Sequence, residues 1–84
     1  MERTKAQVTE LVRAMDEMFA KRDPKSIAPF LREHYSEGWG GGTPQADVLS
    51  AVAEACNEAA KLPPSSWPPP SAGRARELLK RVTA

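Results

Sequence analysis

The stretch Thr43-Pro44-Gln45-Ala46-Asp47-Val48-Leu49-Ser50-Ala51-Val52-Ala53-Glu54-Ala55-Cys56-Asn57-Glu58-Ala59-Ala60-Lys61-Leu62 decides the fold class. Its apolar positions Val48, Leu49, Val52, Cys56, Ala59 and Leu62 recur at helical spacing, the pattern of a helix with one buried face. Thr43 offers an N-cap oxygen, Pro44 suits a first helical position where no amide partner is needed, and Asp47 places negative charge near the positive end of the helix dipole. Alanines 46, 51, 53, 55 and 60 widen the stripe. Small side chains let a second helix approach closely, so the helix expected over 43–62 belongs at the centre of a bundle or on a surface where two copies of the chain form a homodimer.

Before this helix, Gly38-Trp39-Gly40-Gly41-Gly42 marks a loop, because each glycine costs about 1 kcal/mol relative to alanine inside a helix. Further upstream, Val8, Leu11, Val12, Met15, Met18 and Phe19 predict an amphipathic helix over 4–22. Lys5, Glu10, Arg13, Glu17 and Lys21 form its solvated face, with Arg13 placed to pair with Glu10 or Glu17. Asp23-Pro24 stops that helix. Pro29 interrupts the next apolar set of Ile27, Phe30, Leu31, His34 and Tyr35, so a turn at 24–27 and a second helix over 29–37 are expected.

After the 43–62 helix, Pro63-Pro64-Ser65-Ser66-Trp67-Pro68-Pro69-Pro70 predicts an extended polyproline II strap. Ser71 is then a candidate cap for a short basic helix over 71–83, carrying Ala75, Leu78, Leu79 and Val82 on its apolar side. The expected fold is therefore all-α: one helical domain over 1–84, with main helices at 4–22, 29–37 and 43–62, the strap at 63–70 and the terminal segment at 71–84.

Composition narrows the functional classes. The chain has 84 residues, 40% hydrophobic and 27% charged, within the globular range and too short for two independent cores. Its net charge of +1 commits it to neither nucleic acid nor an anionic membrane. Residues 71–84 nevertheless hold four basic side chains against one acidic. A single cysteine allows no internal disulfide and suggests the reducing cytoplasm. Neither a signal peptide nor a membrane span is expected. The alanine, arginine and proline content suggests a GC-rich bacterial or phage genome.

No catalytic site, cofactor site or metal site is expected. Nucleophilic catalysis by Cys56 would need His34, the only histidine, as its base, yet Cys56 falls in the apolar stripe, where a thiol behaves as a small hydrophobe. Two candidate ligands of cysteine or histidine type are too few for zinc. The glycine run lacks the Gly-Lys-Ser/Thr ending of a phosphate loop.

Binding features remain. Arg74, Arg76, Lys80 and Arg81 could meet an acidic protein groove or phosphates, although cations also gather near helix C-termini because the dipole favours them. Trp39 and Trp67 are candidate anchors, or else they close the ends of the core. The Trp67-Pro68-Pro69-Pro70 strap is either a ligand for an aromatic groove or packing for its own bundle. The expectation is a non-enzymatic protein-interaction module, a small regulator, adaptor or inhibitor binding a larger protein assembly. Its partner residues are Trp39, Trp67, Arg74, Arg76, Lys80 and Arg81. The alternative is a nucleic-acid-binding protein that adds Lys21, Arg22 and Lys25 to the basic helix. A helix-turn-helix reading is opposed by the net charge of minus two over 43–62.

Overall fold

Each helix in the computed structural model, which describes residues 4–35 and 42–84, has a local cause in the sequence. Helix α1 (Lys5–Lys21) opens with a capping box: Thr4 Oγ1 accepts from the Gln7 amide at 3.1 Å, and Gln7 Oε1 accepts from the Thr4 amide at 2.8 Å. It closes at Arg22, which adopts the left-handed conformation (φ 52°, ψ 36°) usually left to glycine. The Arg22 amide donates to Phe19 O at 3.2 Å. Val8, Leu11, Val12, Met15, Met18 and Phe19 are all buried, as their spacing predicts.

Asp23 caps a 3-10 turn over Pro24–Ser26, and helix α2 (Ile27–Tyr35) follows directly. It begins two residues earlier than expected, because Pro29 lies within the first turn, where a missing N–H breaks no helical bond. Helix α3 (Pro44–Ala60) starts as the sequence predicts, with Thr43 Oγ1 accepting from the Ala46 amide at 3.1 Å.

The strap departs from a uniform extended segment. Pro63, Trp67 and Pro69 hold polyproline II angles, but Pro64–Ser66 forms a 3-10 turn and the Trp67–Pro68 peptide is cis. Helix α4 (Pro70–Thr83) then begins one residue before its expected cap. Pro70 takes the first helical position with its φ already set, so Ser71 sits inside the first turn. Its buried Oγ makes no hydrogen bond and caps nothing.

Contacts between the helices fix the topology. Asp16 pairs with Arg76, Phe19 meets Trp67, and Trp67 reaches Ala59, so α1 and α3 end together at the end where α4 begins. Tyr35 Oη donates to Leu49 O at 2.7 Å, tying the end of α2 to α3. The helices thus alternate in direction. The most extensive contact is between α3 and α4, and α1 packs on both, while α2 flanks α1 and α3 more lightly. The terminal basic helix is therefore a full core element whose Ala72, Ala75 and Val82 are buried.

Ala51, Ala55 and Ala59 of α3 are likewise at most 3% exposed. Of the two places offered for this helix, the centre of the bundle is where Ala51, Ala55 and Ala59 lie, covered by the chain's own helices, whereas Ala53 is half-buried and Ala60 exposed. Leu11, Met15, Leu49 and Val52, each at most 1% exposed, centre the core, and each contributes about 1.5 to 3 kcal/mol by leaving water.

Candidate partner-binding site

The residues singled out in the sequence separate into three environments. Trp39 lies outside the described residues. Trp67 is only 3% exposed; its indole Nε1–H donates to Ala59 O at 3.0 Å, and its ring meets Phe19 edge-on with centroids 5.5 Å apart. Its apolar area and its polar handle are both engaged within the chain, so it closes the core and is not an exposed anchor.

Arg76 also turns inward. It crosses from α4 to α1, with Nε 3.0 Å and Nη2 2.5 Å from Asp16 Oδ1. The hydrogen bond to Asp16 raises the guanidinium pKa above its ordinary value, with the attraction of the carboxylate acting the same way and partial burial opposing it. Arg76 is thus an interhelical strut, not the free contact the sequence suggested. Its Nη1 has no hydrogen-bond partner among the described residues.

Arg74, Lys80 and Arg81 do face solvent. Lys80 Nζ lies 3.5 Å from Glu77 Oε1, an exposed pair worth little. Arg74 and Arg81 are seven residues apart on one exposed flank of α4, about 10 Å along the axis. Neither has an ion-pair partner among the described residues. Lys21, Arg22 and Lys25 sit at the other end of α4, roughly 15 Å from Lys80 at the helical rise. The two basic sets of the nucleic-acid alternative meet at Arg22 and Arg76, which line one recess beside the carboxylate of Asp16, while Lys80 and Arg81 lie farther along α4.

Among the depressions on the surface of the described residues, two lie beside the basic and aromatic side chains discussed above. A groove of about 470 Å³ runs between α1 and α2 over Ala14, Met18 and Phe30. Arg13 holds Glu10 and Glu17 beside it, bonding the latter at 2.6 Å. A recess of about 290 Å³ lies where α1 ends and the strap passes, between Asp16, Phe19, Arg22, Trp67, Pro68 and Arg76. Sequence reasoning did not find this recess, since Asp16 and Arg76 stand sixty positions apart and no local pattern links them.

Cys56 is fully buried, and burial pushes its thiol up to about 12, which opposes the thiolate a nucleophile requires. His34 packs its ring against Phe30 with centroids 4.6 Å apart. Among the described residues no group of three His, Cys, Asp or Glu side chains is placed to hold a metal, and no helix is long and apolar enough to cross a membrane. The chain is a small all-α bundle with a charged surface. Comparison with known protein families, curated proteins and solved structures gives no match.

Proposed function

We propose that this chain is a non-enzymatic protein-interaction module, a small regulator, adaptor or inhibitor that docks on a larger protein assembly in the cytoplasm. The observation that carries this reading is the outward face of α4, where Arg74 and Arg81 stand exposed without carboxylate partners among the described residues. That face is presented on a helix anchored by Ala72, Ala75 and Val82, so little conformational freedom is lost when it meets a partner. Glu77 stands between the two arginines and the whole chain carries only +1. A protein surface of mixed charge suits this pattern better than a phosphate backbone, which rewards an uninterrupted cationic row.

Affinity capture from a lysate of a GC-rich bacterium tests the reading, using the full chain and its Arg74→Glu/Arg81→Glu variant. One or more proteins should be enriched by the native chain and lose about tenfold in recovery with the variant, matching about 1.4 kcal/mol. Equal recovery by both chains, or enrichment of nucleic acid alone, counts against it.

A further inference from the structure

We propose that the recess bounded by Arg22, Arg76, Phe19, Trp67 and Pro68 is a carboxylate socket that receives one acidic side chain, a glutamate or aspartate, from the partner protein. The inference rests on the interaction-module reading and specifies its partner chemistry. Two guanidinium-bearing residues line the recess with a single carboxylate, Asp16, so the local balance is one positive charge. A side-chain carboxylate carries one negative charge and matches it. A phosphate dianion would overshoot the balance and meet repulsion from Asp16.

The donors are available. Asp16 engages Nε and Nη2 of Arg76 and leaves Nη1, while the Arg22 side chain is exposed and has no partner among the described residues. Arg22 is also placed by its backbone: its amide bond to Phe19 O fixes it at the end of α1, over the recess. A guanidinium grips a carboxylate through two parallel N–H bonds, which the fork of Arg22, unpartnered among the described residues, can supply while Arg76 Nη1 adds a further donor.

The walls supply the second half of recognition. Ala20 and Pro68, backed by the buried rings of Phe19 and Trp67, line the recess with apolar surface that covers the methylenes of an acidic side chain. About 290 Å³ is the space of roughly ten water molecules, enough for one such side chain with residual solvent. The low-dielectric wall strengthens the ionic contact relative to an exposed surface pair.

The test uses the full ¹⁵N-labelled chain in a Trp39→Phe background, so that the one indole N–H signal belongs to Trp67. N-acetyl-glutamate methylamide is titrated, with the glutamine counterpart and inorganic phosphate as comparisons, and the Nε–H signals of Arg22 and Arg76 are followed with the indole. The glutamate probe should shift all three saturably with affinity in the millimolar range. Arg22→Ala should weaken it about tenfold, and Lys5→Ala, at the far end of α1, should leave it unchanged. Equal shifts from the glutamine probe, tighter binding of phosphate, retained affinity in Arg22→Ala, or no saturation by about 50 mM each overturns the socket. Saturable glutamate binding without any captured partner would sink the interaction-module reading and leave the socket standing. Partner capture with a silent recess would do the reverse.

Discussion

Replacing Trp67 separates a core-closing role from an anchoring one. The indole is 3% exposed, donates to Ala59 O at 3.0 Å and packs edge-on to Phe19. Trp67→Phe keeps most of the ring but removes the N–H. Ala59 O still accepts from the Leu62 amide at 3.1 Å, so no carbonyl is orphaned. The loss is then a net hydrogen bond, about 0.5 to 1.5 kcal/mol, plus the smaller ring, for a sum of about 1 to 2 kcal/mol. Trp67→Ala also empties the site under the strap and should cost about 3 to 5 kcal/mol. An 84-residue domain has roughly 4 to 13 kcal/mol in total, so the alanine variant consumes a large share of it. Urea titration followed by circular dichroism at the helix band measures both. The melting temperature of Trp67→Phe should fall by about 4 to 16 °C. If both variants unfold within about 0.5 kcal/mol of the native chain, Trp67 does not close the core and the reasoning fails.

Four further outcomes are expected. Because burial raises the Cys56 thiol to about 12 from an unfolded value of 9.0, the unfolded chain loses this proton first as pH rises. Stability should therefore be intact below 9 and decline towards 12 by up to about 1.4 kcal/mol per pH unit, relative to a Cys56→Ala control run in parallel; coincident profiles would refute this. Native Cys56 should likewise resist iodoacetamide at neutral pH and react promptly in denaturant, as read by mass spectrometry. A double-mutant cycle on Asp16 and Arg76, both about two-fifths exposed, should give a coupling of about 0.2 to 1 kcal/mol that shrinks with salt, and a salt-independent value would exclude an ion pair. Thr4→Ala should cost about 1 kcal/mol in the same unfolding assay by opening the capping box on Gln7, whereas no change would show that the box contributes nothing.

The helices were legible in the sequence because their causes are local. The 3.6-residue stripes of α1 and α3, and the Thr43-Pro44 start, need only neighbours a few positions away. Pro29 and Ser71 were misread by a residue or two, since a proline or hydroxyl near a helix start fits more than one first-turn position. The rank of α4 was not legible. Its apolar set, Ala72, Ala75 and Val82 with Leu78 and Leu79 partly covered, gains its weight only from contact with α3, and that pairing depends on the chain reversing at the strap. Trp67 beside proline offers the same local signal whether it points outward or inward, and the carbonyl of Ala59 decides the matter. The recess draws on residues from the end of α1, the strap and α4, so no window of sequence contains it.

The small buried side chains of the two helices in most extensive contact, Ala51, Ala55 and Ala59 on α3 and Ala72 and Ala75 on α4, have a consequence for alignment. Methyl groups present a shallow relief, and two such surfaces slid past one another by a helical turn still fit tolerably, unlike interlocking leucines or phenylalanines. Shape alone therefore fixes the axial position of α4 weakly. The Trp67 indole on Ala59 O and the Arg76 fork on Asp16 act as latches, each satisfied at one setting only. Cutting both should leave a molecule that is still helical and still closed, but with its last helix free to creep along the groove.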